Sequence, residues 1–173
     1  REAEAAYGSI YEHHAPLIRF LAGSGTPRPR VLAVAADLCL NAKLRRVLQG
    51  DGLDPEVVRP LLEEARLAGA TLDTAALGLL LAVNIETLAA QLHDQPDDLS
   101  RLEQLNKAAQ LVRTLPFEVN LWKTQNICYK ILQARCPYLK ENAGPGDQDA
   151  QEWLRHYTVL AENFRIRMPS RLL

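Results

Sequence analysis

The sequence lacks the compositional features that mark several classes of protein. Its 20 Lys and Arg residues are matched by 21 Asp and Glu. This balance argues against nucleic-acid binding, which needs a surplus of cations to displace phosphate counterions. No apolar run reaches the roughly 18 residues that span a bilayer, and no signal peptide opens the chain. We therefore expect no membrane partner, and a cytoplasmic location.

Cysteine is also scarce, and no catalytic signature is present. Cys39, Cys128 and Cys136 form an odd set without a C-x-x-C pair. This spacing favours buried, reduced thiols over a disulfide framework or a zinc site. The sequence has no Gly-rich phosphate loop, nucleophile elbow or H-E-x-x-H motif. We expect no catalytic residue, no metal and no cofactor in these 173 residues.

What the sequence does contain is helical periodicity from one end to the other. Apolar residues recur every three or four positions, and no alternating run requires a strand. The pattern predicts an all-α fold, an irregular bundle of about seven antiparallel helices with short loops, forming one domain over residues 1–173. The predicted helices are Arg1–Ala22, Pro29–Gln49, Pro55–Gly69, Asp73–Leu92, Asp98–Val112, Glu118–Arg135 and Asp149–Arg167.

Prolines and polarity predict where these helices break and which one lies inside. Pro16 should kink or divide the first helix, because proline removes a backbone donor and crowds the preceding turn. Pro137 should close the sixth helix, and Glu141–Gln148 should form the most polar loop. The fourth helix is apolar over most of its circumference, which is typical of a central buried helix.

The clusters of titratable residues favour structural roles. Glu12, His13 and His14 are adjacent, so on a helix they point about 100° apart and cannot share one metal ion. Glu63 and Glu64 lie in the middle of an amphipathic helix, where solvated surface acids are expected. A basic cluster near the ends of the second helix favours a solvated face or an inter-domain ion-pair patch over an anion site: Arg28, Arg30, Arg45 and Arg46.

The sixth helix carries the most informative segment. A helical wheel places apolar and aromatic residues on one face, with Gln125 in its middle and Asn126 at its edge. Two interpretations are open. In the first, Gln125 ties two helices or caps a neighbouring loop, and the aromatic residues belong to the core. In the second, the face is an open platform on which aromatic rings and amides contact a sugar. The apolar members of the face are Leu121, Trp122, Cys128, Tyr129 and Leu132.

Three stretches of the chain resemble a known family. They are Ile10–Leu21, Ala35–Asn41 with Leu44–Leu48, and Leu115–Trp122 with Gln125–Asn126. Together they are similar to the C-terminal helical region, of unassigned function, in bacterial proteins of the glycoside hydrolase family 57 type (α-amylase/α-mannosidase-like). The similarity covers most of the chain in the same order, and its motifs concern helix packing.

The resemblance implies a role beside a catalytic domain. In such proteins an N-terminal barrel carries the two carboxylates of a retaining mechanism on α-glucan-type sugars, and that barrel is absent from this sequence. Because the chain also opens in mid-helix without an initiator Met, we expect it to be a C-terminal fragment of a larger protein. It would pack on the upstream barrel as a non-catalytic accessory domain and contact an oligosaccharide. The groove residues implied are Trp122, Gln125, Asn126, Tyr129, His14 and Arg19.

A second function, from a different class, is compatible with the same helices. Amphipathic helices joined by short loops also form protein-interaction modules of helical hairpins, which have no sugar chemistry. A concave surface that binds a partner peptide would favour this alternative.

Overall fold

The computed structural model describes residues 2–50, 53–142 and 148–168, and within these residues it contains helices and no strand. The predicted all-α bundle of about seven helices is therefore confirmed. The helices found in this part of the chain are α1 (Glu2–Gly23), α2 (Arg30–Gln49), α3 (Pro55–Ala68), α4 (Thr74–Asp94), α5 (Leu99–Thr114), α6 (Trp122–Asn142) and α7 (Gln148–Phe164).

Neither proline divides its helix, so the predicted closure of the sixth helix at Pro137 and the predicted division of the first at Pro16 are wrong. α1 runs through Pro16 and α6 runs through Pro137 without a division. A proline inside a helix frees the carbonyl four residues earlier. Those residues, Glu12 and Gln133, are both exposed, so water can satisfy the freed carbonyls. The predicted polar loop falls mostly outside the described residues, since α6 extends to Asn142 and α7 begins at Gln148.

The start of α6 also differs from the prediction. The helix begins at Trp122, four residues after the expected Glu118. The side chain of Asn120 accepts a hydrogen bond from the Trp122 amide at 3.1 Å, and the Leu121 carbonyl accepts from the Gln125 amide at 2.8 Å. Asn120 thus satisfies a donor that has no partner inside the helix, and it sets the position at which the helix begins.

The described residues divide into two compact units. The first unit comprises residues 2–50 and 55–80, and the second comprises 53–54 and 81–168. In the first, α1, α2 and α3 pack on one another through a core rich in alanine, whose small side chain allows close approach of helices. Its buried residues are Tyr11, Ala15, Ile18, Leu32, Ala35, Ala36, Cys39, Leu40, Ala65 and Ala68.

A partly buried hydrogen bond joins α1 to α3 beside this core. The Tyr11 hydroxyl donates to Glu64 Oε1 at 2.7 Å, and the Tyr11 side chain is buried. Burial, followed by the hydrogen bond to Glu64, raises the pKa of Tyr11. The expectation that Glu64 is a solvated surface acid is wrong, because this carboxylate is half-buried and has a specific partner.

Two helix ends in the first unit turn through a left-handed glycine. α1 is followed by Gly25 (φ 67°) and α3 by Gly69 (φ 59°). In each case the amide of the next residue donates to the carbonyl five positions earlier, at 3.0 and 2.9 Å, which is the Schellman arrangement. The Arg28 guanidinium donates to the carbonyls of Ala68 and Gly69, so this member of the basic cluster caps α3.

Three polar residues one turn apart on α2 hold the connection between α3 and α4. We call Asp37, Asn41 and Arg45 the backbone clamp. Asp37 Oδ1 accepts from the Thr71 amide at 2.7 Å. Asn41 donates to the Thr71 carbonyl at 2.9 Å and accepts from the Asp73 amide at 2.8 Å. Arg45 pairs with the Asp73 carboxylate at 2.9 Å, and the other oxygen of that carboxylate caps the start of α4.

In the second unit the register follows from the hydrogen bonds between helices. The amide of Asn106 donates to the His156 carbonyl at 3.0 Å, and Arg113 donates to Asn163 Oδ1 at 2.9 Å, so α5 and α7 run in the same direction. α6 runs opposite to α7, because Gln125 near its start bonds Phe164 at the end of α7.

α4 is buried on one side only. Leu79 is 69% exposed and Val83 is 55% exposed, so the expectation of a fully buried central helix is too strong. α4 is long and apolar enough to cross a membrane, a property that it shares with many core helices. Its buried residues include Leu77, Leu81, Ile85, Leu88, Ala89 and Leu92.

Candidate functional site

An open groove runs along the outer side of α6. Trp122, Asn126 and Tyr129 stand at positions i, i+4 and i+7 of this helix, and together they line the groove. We call the groove that these three residues line the aromatic groove. Its volume is about 570 Å³, which is within the range of small-molecule sites. The remaining lining residues are Glu86, Lys123, Ile127, Lys130 and Gln133.

The exposure of these aromatic rings follows from the way α6 is buried. The inward face of the helix is formed by Thr124, Cys128 and Leu132, each at most 1% exposed. Trp122 is 68% exposed and Tyr129 is 45% exposed, so the two rings lie at the boundary of that face, on its open side. The single apolar face expected from the helical wheel is therefore divided by burial into an inner and an outer part.

The polar groups around the aromatic groove are suited to binding. Lys123 Nζ lies 3.5 Å from Glu86 Oε1 on α4, and Lys130 adds a second ammonium group. Asn126 is exposed between the two rings, where its amide can both donate and accept a hydrogen bond. Rings, one amide and a charged rim provide surfaces for stacking and hydrogen bonding.

Gln125 is placed away from the aromatic groove. Its Nε2 donates to the Phe164 carbonyl at 2.8 Å, which satisfies a terminal carbonyl of α7 and ties α6 to that helix. Gln125 also lines a different cavity, together with Phe164. The structure thus brings Trp122, Asn126 and Tyr129 together and gives Gln125 the tying role of the first interpretation.

The two weaker candidates, His14 and Arg19, both lie on α1 in the first unit and do not line the aromatic groove. His14 is half-buried, and its ring meets that of His13 edge-on with centroids 4.7 Å apart. Arg19 is exposed, and its charge partly opposes the rise in the pKa of Tyr11. Within the described residues, no group of three or more His, Cys, Asp or Glu side chains could hold a metal ion.

The second tryptophan lies in a different environment from Trp122, a difference that the residues around it in the sequence do not indicate. Trp153 is 1% exposed, and its indole Nε1 donates to the Pro96 carbonyl at 2.7 Å. Its ring stacks on Tyr157 with centroids 4.7 Å apart, and the Arg135 guanidinium lies 5.1 Å from its centre. Both tryptophans have helical neighbours of similar polarity, so only the packing distinguishes the core ring from the exposed one.

Some residues that line the aromatic groove were not predicted from the sequence, although helical spacing could have indicated them. Lys130 and Gln133 continue the i, i+4, i+8 and i+11 series that begins at Trp122, and this series defines one stripe of a helix. Glu86 lies on α4, and no local pattern could have placed it beside α6.

Comparisons with known proteins add no relative. No family model matches the chain, and neither the curated proteins nor the solved structures give a match. The function must therefore be argued from the groove itself and from the sequence resemblance described above.

Proposed function

We propose that this chain is a non-catalytic helical accessory domain of a carbohydrate-active enzyme of the glycoside hydrolase family 57-like, α-glucan type. In this proposal the domain packs on an upstream catalytic barrel, and its aromatic groove contacts the oligosaccharide. The observation that carries the proposal is the exposure of Trp122, which is 68% exposed, beside a half-exposed Tyr129.

The arrangement of the groove supports sugar binding on chemical grounds. Aromatic faces cover the C–H face of a pyranose, while amides and charged groups reach its hydroxyls. Seven helical positions separate Trp122 from Tyr129, which corresponds to a rise of about 10 Å along α6. That separation exceeds one pyranose ring, so the proposal favours a ligand of several sugar units lying along the helix.

Tryptophan fluorescence tests the groove directly, because Trp122 and Trp153 are the two tryptophans of the chain. A neutral quencher such as acrylamide should reach Trp122 and not the buried Trp153. We expect maltopentaose to shift the emission saturably and to protect it from the quencher. Trp122→Phe should abolish that shift, and Tyr129→Ala should weaken sugar binding about tenfold, since one stacked ring contributes about 1–1.5 kcal/mol.

Two controls make the fluorescence result interpretable. Gln133→Ala changes the end of the groove without touching either ring, so it should retain most of the sugar response. Cellopentaose tests whether the linkage matters. If Trp122 is quenched freely and maltopentaose changes neither its emission nor its quenching, the sugar-contact part of the proposal is wrong.

The accessory role has a separate test in the parent protein. Deleting these residues from a full-length protein that carries the barrel should lower its activity on α-glucans, and Trp122→Ala alone should raise KM more than it lowers kcat. Unchanged glucan activity after the deletion would contradict the accessory role.

A protein-interaction module is the second candidate, and it rests on a different surface. Leu17 and Phe20 lie one turn apart on α1 and are 47% and 70% exposed. Exposed apolar pairs of this kind occur at protein contacts. This function would be favoured if no sugar binds the aromatic groove and if Phe20→Gln abolishes the binding of a defined protein partner.

A further inference from the structure

A second cavity lies in the same unit, where the ends of α5 and α7 meet the segment that leads into α6. Its volume is about 380 Å³, at the small end of the range for ligand sites. Half-buried apolar side chains, those of Phe117, Val119 and Leu121, form part of its lining. We call it the arginine cavity, because Arg113 and Arg165 also line it.

The charges around the arginine cavity are unbalanced. Two guanidinium groups face one carboxylate, Glu118, among the described residues that line it. Arg113 uses one nitrogen to donate to Asn163 Oδ1 at 2.9 Å. A guanidinium has five N–H donors, so most of those of Arg113 are not used by this bond. Arg165 makes no side-chain hydrogen bond or ion pair within the described part of the chain. Donors are therefore available to an anionic group.

The backbone of Arg165 is unusual. Its φ is 55°, in the left-handed region, and it is the one residue other than glycine with a positive φ in the described residues. It follows α7 in the same Schellman arrangement that Gly25 and Gly69 form after α1 and α3. A left-handed conformation costs a residue with a Cβ roughly 1–2 kcal/mol, so an arginine here is held at a cost that glycine would avoid.

Capping of the helix ends does not account for these arginines. Three of the last four carbonyls of α7 have partners: Ala161 O accepts from Ile166 N at 2.7 Å, Glu162 O accepts from Arg165 N at 3.2 Å, and Phe164 O accepts from Gln125. At the end of α5, the hydroxyl of Thr114 donates to Leu111 O at 2.8 Å. Neither guanidinium is hydrogen-bonded to a carbonyl of these helix ends, although both lie where they offset the negative ends of the helix dipoles.

We propose that the arginine cavity binds a small organic carboxylate whose apolar body rests on Phe117, Val119 and Leu121 and whose carboxylate is held by Arg113 and Arg165. Guanidinium groups suit this ligand because their planar donors match a carboxylate two bonds at a time. The proposal is independent of the sugar-binding function, since the aromatic groove and the arginine cavity have no lining residue in common.

The test uses 3-phenylpropionate as the probe and its primary amide as a neutral analogue of the same shape. Binding is followed by NMR titration of the ¹⁵N-labelled chain, with the side-chain amide of Gln125 as the local reporter, assigned with Gln125→Ala. We expect saturable shifts with the carboxylate and at least tenfold weaker binding of the amide, because a charged hydrogen bond is worth about 1.5–3 kcal/mol.

Arg165→Gly is the informative variant, because it removes the guanidinium and also relieves the left-handed strain, so loss of binding cannot be ascribed to misfolding. We expect it, and Arg113→Gln, to weaken carboxylate binding about tenfold or more. The matched control is Arg155→Gln, which removes an exposed arginine of α7 that pairs with Glu152 and lies outside the cavity.

If 3-phenylpropionate does bind, three results would each still overturn the proposal. They are equal affinity for the carboxylate and its amide, unchanged affinity in Arg165→Gly, and an equal loss in Arg155→Gln, which would indicate nonspecific attraction to positive charge. An absence of saturable shifts with 3-phenylpropionate, while maltopentaose still binds the aromatic groove, would reject the arginine cavity and leave the proposed function intact.

Discussion

At the scale of single residues, buried tyrosines and cysteines make the stability of this protein sensitive to alkali, among them Cys39, whose pKa burial also raises. Burial is the main cause in each case: it raises the pKa of Cys128 to about 12 and raises the pKa values of Tyr11 and Tyr157 above their usual value. A raised pKa means that the folded state favours the neutral form. The stabilisation is present below the unfolded pKa and is lost as pH rises.

We therefore expect the free energy of unfolding to fall above about pH 8.5, the pKa of a cysteine in the unfolded chain, and more steeply above about pH 10. Each group contributes a slope of about 1.4 kcal/mol per pH unit. Urea unfolding followed by circular dichroism across this range measures the slope. Tyr11→Phe and Tyr157→Phe should each make it shallower above pH 10, because phenylalanine does not titrate.

Phe164→Leu is the control for this experiment, because Phe164 is buried and has no titratable group. It should lower the free energy of unfolding at every pH and leave the slope as in the wild type. A wild-type slope that persists in Tyr11→Phe and in Tyr157→Phe would contradict the assignment to these two hydroxyls.

At this scale the sequence predicted chemical types better than environments. It placed Trp122, Asn126 and Tyr129 on one helix at the correct spacing, and the structure brings them together. It could not separate Gln125 from them, because the hydrogen bond to Phe164 joins residues 39 positions apart. Periodicity shows which side of a helix a residue is on, but not which groups face it from elsewhere in the chain.

At the scale of secondary-structure elements, the backbone clamp of α2 holds the α3–α4 connection with side chains alone. The Asn41 side chain makes two hydrogen bonds to the backbone of this connection, at 2.9 and 2.8 Å. We expect Asn41→Ala to lower the free energy of unfolding by about 1–2 kcal/mol, because each such bond contributes about 0.5–1.5 kcal/mol. Asn126→Ala is the control, an exposed asparagine on α6 whose removal should change stability by no more than about 0.5 kcal/mol. Equal stabilities of the two variants in urea unfolding would reject this role.

At the end of α7, a substitution is expected to raise the free energy of unfolding. Arg165→Gly should raise the free energy of unfolding by about 1 kcal/mol, because glycine adopts the left-handed conformation without a Cβ penalty. Thermal unfolding followed by circular dichroism checks this. Arg165→Ala separates the backbone from the charge, since it removes the guanidinium and keeps the Cβ. If alanine stabilises as much as glycine, the backbone explanation is incorrect.

Helix existence was largely predictable, and helix ends were less so. The fifth helix is predicted to begin at Asp98, and this residue is its N-cap, accepting from the Arg101 amide at 3.1 Å. The prolines at positions 16 and 137 failed as breaks because their cost depends on whether the freed carbonyl reaches water. That property belongs to the packed molecule, and a local sequence window does not contain it.

At the scale of the whole molecule, exposed apolar side chains and a small net charge favour self-association. Phe20, Leu79 and Trp122 are each about 70% exposed, and the net charge is −1. Repulsion between copies is weakest near the isoelectric point of about 6.5. We expect the weight-average mass in sedimentation velocity to rise with protein concentration near this pH. At a pH well away from the isoelectric point, and at low salt, the mass should be lower at the same protein concentration.

Two substitutions locate the surface responsible for this association. Phe20→Gln and Leu79→Gln should each reduce it, because they remove apolar area without adding charge. Gln49→Ala, at an exposed position of α2, serves as a control. A single monomeric species at every concentration and pH would show that the exposed side chains are too scattered to act together.

The all-α class followed from composition and periodicity, whereas the pairing of helices did not. The contacts Tyr11–Glu64 and Asn106–His156 join residues 53 and 50 positions apart. Many different pairings of amphipathic helices bury similar apolar area, so the choice among them depends on such specific polar contacts.

The backbone clamp also has a consequence for hydrogen exchange. The amides of Thr71 and Asp73 lie in a connection without helical hydrogen bonds, yet each donates to a side chain of α2. Their protons can exchange with deuterium only when α2 releases them, so they should be protected to the same extent as the amides of that helix. The connection would then open together with α2 as one cooperative segment, rather than as an independent loop.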